Sequence, residues 1–232
     1  MATPSHHLDR GAIDLVEEAV HLLRMTSTGA LACYYLGAMP FVLGFLFFWA
    51  DMSRSPWAAD YCAPTALGLA GLFIWMKCWQ SVFTNRLLMT LNRDLQVSRS
   101  LPRTFKFLTF QSLIQASGLW VLPAALVVAI PFGWVYSFYQ NVTVLGNGED
   151  ERLNDLIKKS WNQACLWPAI NHLTLFVIFL FTFFVFINMN VAVYFVPHLL
   201  KDLFGIETIF TRSGWHVLNS TFLITVLALT YL

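Results

Sequence analysis

Long apolar runs separated by short polar segments dominate the sequence. About 20 apolar residues form a helix long enough to cross the roughly 30 Å hydrocarbon core of a bilayer. The sequence lacks the ten-residue alternation of apolar and polar positions that is typical of transmembrane β-barrels. The pattern therefore predicts an all-α, polytopic transmembrane helix bundle of about five to six spans. The predicted spans cover residues 28–50, 62–83, 107–139, 168–196 and 216–232.

The third apolar run is too long for one straight crossing. Residues 107–139 would extend about 50 Å as a helix, against a hydrocarbon core of roughly 30 Å. Pro123 and Pro131 are the candidate break points, because proline removes a helical donor and clashes with the preceding turn. One kinked helix that projects beyond the bilayer is the first interpretation. A helical hairpin that turns near Pro123 is the alternative.

Two segments carry apolar and charged residues on opposite faces at helical spacing. Helices of this kind lie in the membrane interface with the apolar face toward the acyl chains. We therefore predict an N-terminal interfacial segment at 1–27, a transmembrane domain at 28–232, and a second interfacial helix within 149–167. Since the last apolar run ends at Leu232 without a polar tail, we expect a domain truncated at its C-terminus. The apolar faces comprise Ile13, Val16, Val20 and Leu23 in the first segment, and Leu153, Leu156, Ile157, Trp161 and Ala164 in the second.

Composition supports a membrane protein. Hydrophobic residues make up 57% of the 232 residues and charged residues only 12%, against about 25% charged in ordinary soluble domains. This excludes a soluble globular domain, a disordered chain and a nucleic-acid-binding module. The formal net charge is +1, so no global field attracts polyanions. The expected partners are the lipid bilayer with its anionic headgroups, together with other membrane proteins or a second copy of the chain.

Basic residues are concentrated in the segment 84–106, which we predict as a loop between two spans. With five crossings and a cytoplasmic N-terminus, the inside segments carry nine Lys and Arg and the outside segments four; with a hairpin at 107–139 the counts are ten and three. The positive-inside rule therefore predicts a multi-pass cell-membrane protein with its N-terminus in the cytoplasm. Each basic residue near an anionic leaflet contributes about 1 kcal/mol of attraction. The predicted headgroup contacts are Arg86, Arg93, Arg99, Arg103 and Lys106.

A few polar residues interrupt the predicted spans. Lys77 lies near the cytoplasmic end of its span, so we interpret it as a lysine that snorkels to the headgroups. Asn188 and Asn190 point about 200° apart on a helix, and we expect them to form interhelical hydrogen bonds with Gln111 or Gln115. In the alternative function, a transporter or channel subunit, a polar site would form from Lys77, Gln80, Asn188 and Asn190.

No catalytic, cofactor or metal site is predicted. The four cysteines are widely spaced and form no C-x-x-C pair. No Gly-rich phosphate loop or H-E-x-x-H motif occurs. The leading hypothesis is therefore a non-enzymatic integral membrane protein with a role as a scaffold, in assembly or in membrane homeostasis.

The stretch Leu156-Ile157-Lys158-Lys159-Ser160-Trp161 leads from an amphipathic helix into an apolar span. In this setting it resembles bacterial polytopic proteins of the YciC-like and glycerophosphodiester phosphodiesterase membrane-domain type, which carry an Ala-x-x-Arg-Ser-Trp-like helix. Lys159 replaces the arginine here, and no glycine follows within residues 162–167. The resemblance covers about residues 84–200 as a pattern. It implies a non-catalytic helical module of the bacterial inner membrane, with structural roles for Ser160 and Trp161.

Overall fold

In the computed structural model, residues 11–91, 101–128, 132–146, 152–166, 168–212 and 219–232 are described. Every regular element within these ranges is an α-helix, which confirms the all-α prediction. The helices are α1 (Ala12–Met25), α2 (Thr28–Met52), α3 (Ala58–Leu91), α4 (Leu101–Val128), α5 (Phe132–Leu145), α6 (Leu153–Leu166), α7 (Pro168–Phe204) and α8 (Ser220–Tyr231).

Four of the described helices are long and apolar enough to cross a membrane. They are α2, α3, the stretch Thr109–Val128 of α4, and α7. Only a minority of their residues are buried within the protein, as lipid-facing helices require. The chain is therefore a membrane protein. The last predicted span, 216–232, is shorter in the structure, because the 12 residues of α8 extend only about 18 Å. Residues 213–218 lie outside the described part.

The 107–139 run forms two antiparallel helices, so the first interpretation of one kinked helix is wrong. Gln111 Nε2 on α4 donates to Val142 O on α5 at 3.0 Å, and Gln115 Nε2 lies 3.3 Å from Tyr139 O. The hairpin alternative is correct, but its turn was misplaced. Helix α4 continues through position 123 to Val128, and the antiparallel α5 begins at Phe132. Packing against α5 gives both buried glutamines acceptors on a second helix.

Helix α6 packs against α5 through its apolar face, and its position in the membrane interface stays a prediction. Asn141 Nδ2 donates to Ser160 O at 3.2 Å, and the rings of Phe138 and Trp161 meet edge to face with centroids 6.0 Å apart. Leu156 is buried in the same contact. The apolar face that we assigned to lipid therefore largely contacts protein.

Helix α1 differs from α6 in that its apolar face is exposed. Ile13 is 68% exposed, and Val20 and Leu23 are each 44% exposed. The helix begins with the Gly11 N–H donating to Asp14 Oδ2 at 3.0 Å. Its position in the membrane interface stays a prediction, and residues 1–10 lie outside the described part.

Several helices extend beyond their predicted ends. The segment 84–106 was predicted as a loop, but α3 continues to Leu91 and α4 begins at Leu101. Helix α7 passes through Pro197, which we had placed at the end of the span. It ends instead at Gly205, whose N–H donates to Lys201 O at 2.8 Å and whose φ of +68° suits glycine. Leucines at helical spacing in 87–91 extend α3, which explains the error in the predicted loop.

The described residues fall into two compact units. The first comprises residues 1–37 and 76–178, and the second residues 38–75 and 179–232. A buried cluster of Ile114, Tyr139, Val142 and Leu156 forms the core of the first unit. The second unit has its own cluster of Val193, Phe222 and Val226. The predicted division at residue 27 concerns position relative to the membrane and stays a prediction.

Within each unit, a glycine of α2 allows close contact with α3. In the first unit, a Cβ added at Gly37 would lie 2.5 Å from Trp79 Cβ. In the second, a Cβ added at Gly44 would lie 2.5 Å from Leu72 Cδ1. Small residues at such positions let the backbones of two membrane helices approach each other.

Candidate functional site: a polar cleft beside α7

A cleft of about 420 Å³ lies between α5, α6 and the first turns of α7, entirely within the first unit. Its volume is within the range of small-molecule sites, roughly 300–1,000 Å³. The lining residues are Tyr136, Ser137, Gln140, Asn141, Gln163, Asn171, Thr174, Leu175 and Ile178.

Side-chain amides dominate the chemistry of this cleft. Gln140, Asn141, Gln163 and Asn171 each offer both N–H donors and a carbonyl acceptor. The nine lining residues include no carboxylate, amine, guanidinium, imidazole or thiol. The cleft therefore offers hydrogen-bond donors and acceptors but no side chain that is charged at neutral pH.

Two of the amides also hold the walls of the cleft together. Asn141 on α5 donates to Ser160 O on α6, and Asn171 on α7 donates to Ala164 O on α6 at 2.8 Å. Each bond uses one of the two N–H groups of its amide. The other N–H and the carbonyl oxygen have no further hydrogen bond among the described residues, so both amides keep the capacity to bind a ligand.

Thr174 adds a further unsatisfied group. Its Oγ1 is buried and has no hydrogen-bond partner within the described residues. A buried hydroxyl without a partner costs free energy, on the order of 1–3 kcal/mol. A polar ligand or a water molecule in the cleft would relieve this cost.

The end of the cleft is set by the contact between the first turns of α5 and α7. The His172 ring lies edge to face with Trp134, with centroids 6.0 Å apart, and its Nδ1 is 2.7 Å from Pro168 O. A Cβ at Gly133 would come within 2.8 Å of the imidazole. Glycine at 133 therefore allows His172 to pack onto α5, which positions Asn171 and Thr174 beside it.

The predicted polar residues of α4 have a structural role. Gln111 and Gln115 are buried, and besides its contact with Tyr139 O, Gln115 Nε2 lies 3.3 Å from Gln111 Oε1 and 3.1 Å from Thr143 Oγ1. Their acceptors outside α4 all lie on α5. The two glutamines therefore join the hairpin, and our expectation that they pair with the asparagines of α7 is wrong.

Asn188 and Asn190 bond to their own helix. Asn188 Nδ2 donates to Phe184 O at 3.0 Å, and Asn190 Nδ2 donates to Phe186 O at 2.8 Å. Asn188 is exposed, whereas Asn190 is half-buried on the face of α7 that packs in the second unit. The interhelical hydrogen bonds predicted for these two residues are therefore not found among the described residues.

The predicted transport site draws on both units. Lys77 and Gln80 on α3 belong to the first unit, are half-buried and take part in interactions there. Asn188 and Asn190 belong to the second unit. A site that unites all four residues stays a prediction.

The predicted headgroup contacts are only partly described. Arg86 Nη1 donates to Gly29 O at 2.7 Å, and Lys106 Nζ lies 5.7 Å from the centre of the Phe110 ring. Arg103 lies on α4, and Arg93 and Arg99 lie outside the described residues. Binding of anionic lipid at these positions stays a prediction.

A smaller pocket of about 150 Å³ in the second unit has a different character. Two of its lining residues, Arg54 and Arg212, are cationic, and Arg54 Nη2 lies 3.5 Å from Thr221 Oγ1. The Asn219 side chain in this pocket caps α8 by accepting from the Thr221 N–H at 3.0 Å. Both arginines are solvent-exposed, so we assign no ligand to this pocket.

Sequence reasoning did not find the amide-lined cleft. The sequence does place amide side chains beside apolar positions at 140, 141, 163 and 171. These side chains come together only because the chain changes direction before α5 and again before α6. Comparison of the chain with known families, curated proteins and solved structures finds no match.

Proposed function

We propose that this chain is a non-enzymatic, multi-pass protein of the cytoplasmic membrane with a role as a scaffold, in assembly or in membrane homeostasis. We further propose that its polar cleft recognises an uncharged, hydroxyl-rich lipid headgroup. The single observation that carries the proposal is the lining of four amides without an acidic or basic side chain. Such a lining supports binding more than acid–base catalysis, which uses groups that titrate near the working pH.

The position of the cleft along α7 favours a headgroup as its ligand. The apolar stretch of α7 covers residues 173–196, about 36 Å of helix. Thr174 lies about 16 Å from the middle of this stretch, close to the half-thickness of a hydrocarbon core of roughly 30 Å. The cleft then lies at the level where headgroups meet acyl chains, whereas the substrate sites of transporters lie near the midplane.

The chemistry of the lining matches a glycosyl or glycerol headgroup. Hydroxyl groups donate and accept hydrogen bonds, and side-chain amides such as Gln140 and Gln163 do the same. Leu175 and Ile178 add an apolar side on which the first carbons of an acyl chain can pack. A charged headgroup would find no counter-ion among the lining residues.

The alternative function, a transporter or channel subunit, has less support. Asn188 and Asn190 point to different faces of α7 and bond to its carbonyls. The same two residues therefore do not line one conduit. The cytoplasmic N-terminus and the bacterial inner membrane are also proposals, supported by the Lys and Arg excess in 84–106 and by the resemblance at 156–161.

The test measures lipid retained by the purified full-length chain. The protein is extracted in a mild detergent, and a glycosyl-diacylglycerol is titrated in while bound lipid is counted by native mass spectrometry. Gln140→Leu combined with Gln163→Leu removes two amides from the lining. Since each lost hydrogen bond costs about 0.5–1.5 kcal/mol, the loss of two should weaken binding by roughly 5- to 150-fold.

Asn162→Leu is the matched control, because Asn162 is an exposed amide on α6 outside the lining. It should leave binding unchanged. Equal binding by the double variant and the control would contradict the headgroup proposal, as would a preference for anionic over neutral lipid.

A further inference from the structure

In the second unit, α7 exposes side chains around most of its circumference, and we call the face that contains Asn188 the α7 seam. The members alternate in spacing between three and four residues, which is the pattern that packs one helix against another. Its four apolar members are 51–62% exposed, and the fifth, at the centre, is an exposed asparagine. The seam consists of Phe181, Phe184, Asn188, Val191 and Phe195.

The asparagine of the seam is a polar side chain that is exposed within an apolar stretch. Asn188 lies about 5 Å from the middle of the apolar stretch 173–196. One N–H of its amide donates to Phe184 O. The other N–H and Oδ1 have no hydrogen bond within the described part of the chain. An exposed amide at this depth is costly in hydrocarbon, because acyl chains offer neither a donor nor an acceptor.

We propose that two copies of this chain associate through the α7 seam, with the two Asn188 amides hydrogen-bonded to each other. Copies inserted with the same topology carry α7 in the same direction. A two-fold axis along the membrane normal therefore brings position 188 of both copies to the same depth. Each amide retains one donor and one acceptor, which are the groups that a reciprocal pair uses.

The seam also explains why only one polar residue is present. A single asparagine among apolar seam positions fixes the register and the parallel orientation of two helices, at some cost in stability. Phe184 and Val191, one step away on either side, would pack around the amide pair and exclude lipid from it. The inference is independent of the proposed headgroup binding, because it uses no residue of the cleft.

Asn190 provides an internal comparison. It is the same residue type two positions away, and it also bonds to its own helix. It lies, however, on the half-buried face of α7 next to Met189 and Val193, which belong to the second core cluster. A residue on that face is not available to a second copy.

The first test measures dimerisation of the full-length chain in bilayers by energy transfer between labelled copies, as the protein-to-lipid ratio is varied. Asn188→Leu should weaken association by roughly 3- to 30-fold, the effect of losing one or two interhelical hydrogen bonds in a membrane. Asn190→Leu should leave it unchanged, and Asn188→Gln, which keeps an amide, should restore much of it. Equal effects of Asn188→Leu and Asn190→Leu would overturn the proposal, as would a chain that stays monomeric.

The second test uses cysteine cross-linking and does not depend on the stability of an Asn188 variant. In a background with the four native cysteines replaced by serine, Val191→Cys lies in the seam, and Phe183→Cys lies off it at about 120° from the seam centre. Phe183 is also exposed, at 47%. The seam cysteine should form a covalent dimer under mild oxidation at least fivefold faster. Equal rates at the two positions, or cross-linking only to a different membrane protein, would contradict pairing through this face.

Discussion

The glutamines of α4 and the asparagines of α7 are all amides in apolar segments, but they find their hydrogen-bond acceptors in different places. Gln111 and Gln115 are buried in the first unit and bond across to α5. Asn188 and Asn190, in the second unit, bond only to carbonyls of their own helix. At the close α4–α5 contact, the neighbouring helix supplies acceptors for the amides. On α7, exposed Asn188 and half-buried Asn190 both donate to the preceding turn of their own helix. The acceptor of an amide in an apolar segment therefore depends on whether a neighbouring helix offers one within reach.

Removing a core side chain from the closely packed region should have the largest effect. Leu156 is 2% exposed and belongs to the cluster with Tyr139 and Val142. Leu156→Ala leaves a cavity between α5 and α6, and we expect a loss of about 2–5 kcal/mol in the free energy of unfolding. Denaturant titration in detergent, followed by circular dichroism, measures this loss.

Leu166→Ala is the control for this prediction, because Leu166 lies on the same helix and is 58% exposed. It should cost less than about 1 kcal/mol. A similar loss for both variants would mean that α6 is not packed as described, and the comparison between the two regions would fail.

An intermediate effect is expected from Gln115→Leu. The substitution keeps the side-chain size but removes the amide that lies within hydrogen-bond distance of Gln111, Tyr139 and Thr143. Since a buried amide–acceptor network is lost, the free energy of unfolding should fall by about 1–3 kcal/mol. Asn190→Leu, which removes only a bond within one helix, should cost less than about 1 kcal/mol. Equal losses in the same denaturant titration would remove the distinction drawn between α4 and α7.

The smallest expected effect is the difference in stability between alanine substitutions at the two glycines of α2. A Cβ at Gly37 meets Trp79 Cβ and has Met76 O 3.3 Å away, so the backbones must move apart. A Cβ at Gly44 meets the flexible end of Leu72, which can rotate away. We expect Gly37→Ala to cost about 1–2 kcal/mol and Gly44→Ala less than about 1 kcal/mol. Thermal unfolding of both variants in the same detergent tests the order, and the reverse order would contradict it.

The sequence predicted the helical class and the main apolar stretches because hydrophobic length alone decides both. It did not predict where α4 and α5 separate, since the hairpin alternative placed the turn near Pro123 and the structure keeps position 123 within α4. The amphipathic pattern of α6 was read correctly as a helix. Its apolar face could not be assigned to lipid or to protein, because periodicity gives the direction of a face and not what covers it.

The candidate site was the least predictable part. Gln140, Gln163 and Asn171 are far apart in sequence and meet only after two chain reversals. Lys77 and the α7 asparagines were predicted as site residues because they are isolated polar residues within apolar runs. Residues that form a cleft together, such as Asn141 and Asn171, stand at the ends of such runs, where polar residues are ordinary.

The length of α7 has a consequence for the membrane itself. Its apolar stretch of about 36 Å exceeds a hydrocarbon core of roughly 30 Å, so hydrophobic mismatch must be met by tilt or by local thickening of the bilayer. Two α7 helices paired at Asn188 would tilt in opposite directions about their contact. Thicker bilayers would reduce the crossing angle of the pair, and thinner ones would increase it. Bilayer thickness would therefore affect how two copies of this chain associate.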